Sequence, residues 1–519
     1  MIRLVSWLGH LAAGLVIGWW VGYGLASLLH LGVVAHFLMK NAGAGLGLLV
    51  GFERWKAGRG QLSRTVHGSA QFATVLQIKR TLVTNQGLIV GRENRRNGRL
   101  LRHNGPGHLL TIAPTRSGKG VGAIIPNLLT ANQSVLCIDP KGESANITWD
   151  ARARFGAVRL LDPFGITGRP GAGYNPLDLL TPDDPDLVDD AAVLADALVH
   201  DPPAHHGEAH WNEEARALIT GLILHVVCSH PRHEQTLATV RELLSGSPHE
   251  FANLLAQMQR SPAADGLVRR AANRHLSKSD REAAGVLSSA QRHTHFLDSA
   301  RINAAMARSD FRFADLKTSR CTVFLVLPPD RLDTYARWLR LLVAQAIKDL
   351  SRTPGLGGPP VLLLLDEFAA LGRLEPVERA FGLMAGYGVQ LWPILQDMHQ
   401  LRGIYGERAG TFLSNAGLLQ IFNVADVETA AWVSKSIGST TVAYQTTSAT
   451  TSQSPSQIFS SRSTSTSTHL TRRELMTPDE IMRLDPALEL LMRPGEAPVV
   501  ARKVRYFMDT EFRGLYRRA

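Results

Sequence analysis

The sequence predicts an α/β protein in which an N-terminal transmembrane helical hairpin precedes a parallel-sheet core carrying an inserted all-α subdomain. Three observations predict it. Residues 4–29, LVSWLGHLAAGLVIGWWVGYGLASLL, are predominantly apolar and hold no Asp, Glu, Lys or Arg, with His10 the one group that can charge near neutral pH. Two apolar strand runs, at 109–112 and 361–365, each end in polar residues suited to phosphate or metal. Between them, residues 180–300 show helical spacing without strand runs.

The composition agrees with this layout. A chain of 519 residues exceeds the ~100–200 of an average domain, so several folding units are expected. An apolar share of 45% with 19% charged residues is globular and excludes wholesale disorder. The net charge of +11 points to an anionic partner, whether nucleic acid, acidic lipid or phosphate. Cys137, Cys228 and Cys321 lie in apolar runs, which excludes a disulfide scaffold and a C-x-x-C zinc site.

Residues 1–55 form the expected anchor. The first span (about 5–29) is long enough for ~30 Å of hydrocarbon, and too long and too rich in tryptophan for a cleaved signal peptide. The second (31–52) carries Lys40 near its middle, at a cost of roughly 2.5–3.5 kcal/mol in lipid unless the lysine faces protein. Arg54, Lys56, Arg59 and Arg64 follow, so both ends of the hairpin are expected in the cytosol.

The core begins in region 56–180. In GHLLTIAPTRSGKGVGAIIPNLL (107–129) an apolar strand runs into a small, Gly-rich turn and then a helix start. Backbone N–H groups of such a turn cradle phosphates, and a lysine reaches the terminal ones. The expected nucleotide-binding residues are Pro114, Thr115, Arg116, Ser117, Gly118, Lys119, Gly120 and Val121. The strict phosphate-loop pattern fails twice, with Ala113 in place of the first glycine and Gly120 in place of the hydroxyl residue. In region 301–519, VLLLLDEFAALG (361–372) places Asp366 and Glu367 at the tip of a strand apolar on both faces. Asp366 is the expected metal residue, through the Mg²⁺ water shell, and Glu367 the residue that orients or deprotonates water. VQLWPILQD (389–397) ends in Gln396, placed to sense a γ-phosphate or position water. Together these make a parallel-sheet P-loop NTPase core with Lys119, Asp366, Glu367 and Gln396 as catalytic candidates.

Other segments are less specific. Amphipathic patterns at 185–200, 211–230, 234–245, 248–260 and 278–291 assign 181–300 to the all-α subdomain. AHHGEAHWNEEA (204–215) fits no zinc spacing and reads as a solvated loop. GRENRRNGRLLRH (91–103) offers Arg92, Arg95, Arg96, Arg99 and Arg102 to DNA phosphates, to anionic lipid, or only to solvent. In 439–471, 20 of 33 residues are Ser or Thr, which predicts a flexible excursion rather than a β-hairpin arm. Thr477 and Pro478 read as an N-cap and first helical residue, and 499–507 as a last strand.

The strings APTRSGKGVGAIIPNLL (113–129), IDPKGE (138–143), DPFG with YNPLD (162–178), LLDEFAALGRLEP (364–376), GYGVQLWPILQD (386–397), NAGLLQIF (415–422) and TPDEIM (477–482) resemble the TraG-like coupling proteins of type IV secretion systems. The similarity runs in order from the membrane hairpin to residue 507. It implies a RecA-like core in a homo-oligomer, a hexamer, at the bacterial inner membrane, multi-pass with most of the chain cytoplasmic. It implies ATP and Mg²⁺ as ligands, with Lys119 on the nucleotide and Asp366 and Glu367 supporting metal and hydrolysis. Gln396 matches a strand-end position of the related motors. Mg²⁺ would be held by Thr115, Ser117 or water together with Asp366. The implied partners are a relaxase or relaxosome, single-stranded DNA or protein effectors, and the inner-membrane components and ATPases of the channel. The all-α region would receive substrate. Related ring motors carry a basic residue before the Gln396 strand, but here that segment is MAGYGVQ. Arg373, Arg379, Arg402 and Arg408 are left as candidates for an arginine finger. Two other readings stand beside a DNA- or protein-translocating ATPase: a nucleotide-binding docking receptor without motor activity, and a DNA-segregating ring pump.

Overall fold

The computed structural model describes residues 2–28, 32–58, 65–199, 209–355, 357–452 and 461–517. The chain divides into two compact units, one of residues 1–71 with 438–475 and one of 72–437 with 476–519.

In the first unit, helices α1 (Ile2–Leu28) and α2 (Val33–Gly58) pack against each other. Their contact is made by glycines four residues apart. A Cβ on Gly18 would lie 2.2 Å from the Gly43 carbonyl oxygen, and one on Gly22 2.5 Å from that of Met39. Small residues at this spacing let two helix backbones touch. The Lys40 ammonium lies 4.9 Å from the Trp19 ring centroid and 4.4 Å from that of Tyr23, so it faces α1, as the sequence required of it. Among the described residues no helix is long and apolar enough to cross a membrane.

The same unit holds an antiparallel ribbon, Ser439–Ser452 against Ser461–Glu474. Over 439–452 and 461–471 this corrects the flexible excursion expected for 439–471, of which 453–460 lie outside the described residues. Composition was the wrong guide: threonine suits a pleated backbone, and fourteen paired positions satisfy the ladder without an apolar core.

The second unit is built on one 11-stranded sheet. Its strands, in chain order, are β1 (Leu88–Glu93), β2 (Leu100–His103), β3 (His108–Ile112), β4 (Val135–Ile138), β5 (Ala157–Leu161), β6 (Cys321–Leu325), β7 (Val361–Leu365), β8 (Val389–Leu395) and β9 (Ala416–Phe422). The two ribbon strands are β10 and β11, and β12 (Leu488–Met492) and β13 (Val499–Arg502) complete the sheet. The spatial order is β2-β1-β13-β12-β9-β3-β8-β7-β4-β6-β5. From β9 to β5 neighbours are parallel, and from β2 to β9 they are antiparallel. The interior strands β3, β4, β6, β7 and β8 are buried at every position, as strands covered on both faces must be. A polar chain crosses this core. Trp392 Nε1 donates to Thr111 Oγ1 (2.8 Å), Thr111 to Gln420 Oε1 (2.8 Å), and Gln420 Nε2 to Glu489 Oε2 (2.8 Å).

Between β5 and β6 the chain is helical, with Leu187–Leu198, Ala209–Ser229, Leu237–Ser245, Pro248–Arg260, Leu267–Leu276 and Asp280–Thr294 as the longer helices. The Leu267–Leu276 helix is absent from the sequence reading because it buries only Val268, Ala272 and His275. Thr477 does cap the helix Pro478–Met482, with Glu480 Oε2 accepting its N–H at 2.9 Å.

Candidate functional site

The site forms where three parallel strands end. β3 enters the turn 113–119, β7 ends before Asp366, and β8, lying between them, ends before Gln396. The turn closes with a Ser117 N–H to Pro114 carbonyl bond of 3.1 Å. Gly118 has φ +93°, which only glycine adopts without strain, and Arg116 has φ +64°. A π-helical turn, Gly120–Ile124, follows and continues as the helix Ile125–Thr130. π-turns are frequent at functional sites. Cβ atoms on Gly118 and Gly120 would meet nothing within 4 Å, so the loop backbone faces open space. The Ser117 hydroxyl is buried and makes no hydrogen bond.

The predicted catalytic residues meet here. Lys119 Nζ lies 2.8 Å from Asp366 Oδ1 and 2.5 Å from Glu367 Oε1. Gln396 Nε2 donates to Glu367 Oε2 at 3.2 Å, and Thr115 Oγ1 to Gln396 Oε1 at 3.4 Å. Glu367 sits at φ +51°, a left-handed conformation rare for a non-glycine residue and typical of strained functional positions. Burial would lower the pKa of Lys119, but the two carboxylates raise it above the ordinary lysine value and keep the ammonium charged. Burial pushes Asp366 up, and Lys119 offsets only part of that. One strand over, burial pushes Asp139 up to about 6 against hydrogen bonds from the Ala145 and Lys141 backbone.

One supporting residue was not singled out from the sequence. Gln400 Oε1 accepts the Gln396 N–H at 2.9 Å, while its own N–H donates to the helix cap Asp397 at 2.8 Å. The D-x-x-Q spacing of a capping box was its available signal.

The remaining candidates divide. The five arginines of 91–103 belong to the β1–β2 hairpin. Arg92 pairs with Glu511 (2.9 Å) and Asp509 (3.4 Å), Arg95 and Arg99 with Glu93 (2.6 and 3.3 Å), and Arg102 donates to the Gly87 carbonyl (2.9 Å). Arg96 is exposed. Of the arginine-finger candidates, Arg373 lies 3.8–3.9 Å from Glu375 and Glu378, Arg408 pairs with Glu378 at 2.8 Å, and Arg402 pairs with Glu428. Arg379 is exposed. In the 204–215 segment, His205, His206 and Glu208 lie outside the described residues, and His210 bonds Glu282 at 3.2 Å. Among the described residues no three His, Cys, Asp or Glu side chains converge on one point, at Asp366 or elsewhere.

A phosphate loop, an acidic strand tip and a strand-end glutamine on a parallel sheet define a nucleotide-binding NTPase fold. The chain belongs to the type IV secretory system conjugative DNA transfer family, whose model matches residues 67–516. It is 30% identical over 469 residues to the conjugal transfer protein TraG of Escherichia coli, covering 83% of this chain and 73% of that protein. It is 32% identical over 425 residues to VirD4 of Agrobacterium fabrum, covering 79% of this chain and 60% of that one. The fold is shared with the bacterial conjugative coupling protein TrwB. TrwB in complex with ADP and Mg²⁺ superposes with a TM-score of 0.62 at 16% identity, covering 84% of this chain and 94% of that one. TrwB with a non-hydrolysable ATP analogue gives a TM-score of 0.61 with the same coverage.

Proposed function

We propose that this chain is a membrane-anchored ATPase that couples cytosolic substrate to a type IV secretion channel, the substrate being relaxase-bound single-stranded DNA, protein effectors or both. The observation that carries it is the meeting of Lys119, Asp366, Glu367 and Gln396 beside an open glycine-lined loop, in a chain of this family.

The chemistry follows from the geometry. An incoming triphosphate presents oxygens to the N–H groups of 118–121 and to the Lys119 ammonium. Lys119 then exchanges the Glu367 carboxylate for phosphate oxygen. Glu367, released but still bonded to Gln396, is left to orient and deprotonate water. The residues fit Mg²⁺: Asp366 and the unpartnered Ser117 hydroxyl would hold it, with Thr115 nearby, water and phosphate filling the other positions. When bound, it neutralises charge developing on the transferred phosphoryl group. A nucleoside triphosphate with Mg²⁺ is supported by TrwB in complex with ADP and Mg²⁺, with an ATP analogue and with a GTP analogue, and we take ATP as the nucleotide.

The anchor and its inner-membrane setting are supported by the apolar run 4–29 and by the glycine contact between α1 and α2. Most of the chain, including the site, would lie in the cytoplasm, assembled as a hexamer. For DNA, the β1–β2 turn offers Arg95, Arg96 and Arg99 against the single carboxylate of Glu93. Complementation of a deletion strain tests the coupling role in paired mating and effector-export assays. Wild-type chain is expected to restore at least one and Lys119→Ala neither; restoration of transfer by Lys119→Ala overturns it.

A further inference from the structure

Lys503 follows β13 and is almost fully buried, 8% exposed. Burying a lysine is costly unless its donors are satisfied, and here burial pushes its pKa down to about 8. Its ammonium has three N–H bonds to place. One reaches the Ser117 carbonyl of the phosphate loop at 2.8 Å, and another reaches Asn423 Oδ1 just past β9. The ammonium also lies 4.4 Å from the centroid of the Phe422 ring, a cation–π contact. The backbone is held as well, because the Lys503 N–H donates to the Ala487 carbonyl at 2.8 Å. The next carbonyl, that of Val504, would lie 3.0 Å from a Cβ on Gly122, so this segment presses on the π-turn behind the loop.

A cation at this place does two things. It fixes the peptide between Ser117 and Gly118, whose N–H faces away from the carbonyl that Lys503 holds. It also adds positive charge behind a loop that must receive an anion. We propose that Lys503 is a positioning residue of the nucleotide site: by gripping the Ser117 carbonyl from just past the C-terminal strand, it holds the phosphate loop in the orientation that receives a triphosphate. The proposal rests on the nucleotide-binding reading of that loop.

The test uses the purified full chain, with equilibrium binding of a fluorescent ATP analogue and steady-state ATP hydrolysis. Lys503→Met removes the charged donor and keeps the aliphatic stem. Losing one charge-assisted hydrogen bond is expected to raise Kd and KM about tenfold, with kcat within about twofold of wild type. Lys503→Arg, which keeps the charge and the donors, is expected to stay within about threefold of wild type. Should Lys503→Met give no folded protein, Lys503→Gln replaces it, with KM expected to rise at least about threefold. An unchanged KM in the Met or Gln variant overturns the proposal, as does an Arg variant as weak as Met or a loss confined to kcat. A wild-type chain that binds no adenine nucleotide would instead overturn the reading of the loop, so the two failures are distinct.

Discussion

Removing the ammonium of Lys119 costs the free chain stability and the complex affinity, and both losses can be sized. In the free chain the ammonium lies between Asp366 and Glu367 at 2.8 and 2.5 Å, all three side chains partly buried. Alanine leaves those carboxylates facing each other without a cation. Asp366, already raised by burial, loses the cation that offset part of that rise, and the loss of stability is about 1–2 kcal/mol. Against the triphosphate, the loss is a charge-assisted contact of about 1.5–3 kcal/mol. At about 1.4 kcal/mol per decade, that is roughly 10- to 100-fold in nucleotide affinity. The backbone N–H groups of 118–121 remain, so binding should weaken rather than vanish. The assay is titration of a fluorescent ATP analogue beside thermal melting, with hydrolysis measured on the same samples. Lys119→Ala is expected to melt a few degrees lower and to bind at least about tenfold more weakly, with hydrolysis at background. Hydrolysis at the wild-type rate would refute the reasoning.

Two further substitutions test the scaffold. Thr111→Val strands the Trp392 indole N–H and the Gln420 side-chain Oε1 in a fully buried site; at about 1–3 kcal/mol per orphaned group, chemical denaturation should show a loss of about 2–6 kcal/mol, and a loss below about 0.5 would contradict the network. Burial raises the pKa of Glu93, but the Arg99 N–H and the guanidiniums of Arg99 and Arg95 outweigh it and hold the folded pKa at about 2 against 4.5. A depressed acid stabilises above its unfolded pKa and loses that contribution as pH falls through its folded one. Glu93→Gln should therefore melt below wild type at pH 7, with the gap closing between about pH 4.5 and 2; a gap independent of pH would contradict the assignment.

How far the sequence could be read depended on whether the signal was local. VLLLL before Asp366 and the Gly-rich turn before Lys119 announce themselves, because a buried parallel strand must be apolar throughout and a phosphate turn needs φ values that favour glycine. The convergence of Gln396 on Glu367 was legible for the same reason, since both sit at parallel strand ends. The short strands β1, β2 and β12 were not. Each is four to six residues long and mixes apolar residues with Arg, His or Glu without alternating, and β1 and β12 are completed by partners far along the chain, β13 and β9. The arginines of 91–103 looked like a free basic patch, whereas Glu93 and the distant Asp509 and Glu511 engage three of them. Lys503 carried no signal, because its partner Ser117 is 386 residues away. The ribbon strands were hidden by composition: they are held by a backbone ladder, to which side-chain hydrophobicity is blind.

The most direct measurement is hydrolysis and nucleotide binding by Glu367→Gln in parallel with conjugative transfer. That change keeps the bulk of the side chain and its reach toward Gln396 and Lys119 while removing the base. The account predicts nucleotide affinity within about threefold of wild type, with turnover reduced at least about a hundredfold and transfer lost with it. Transfer at the wild-type level from a chain that binds but no longer cleaves ATP would contradict the account and leave a docking receptor in its place.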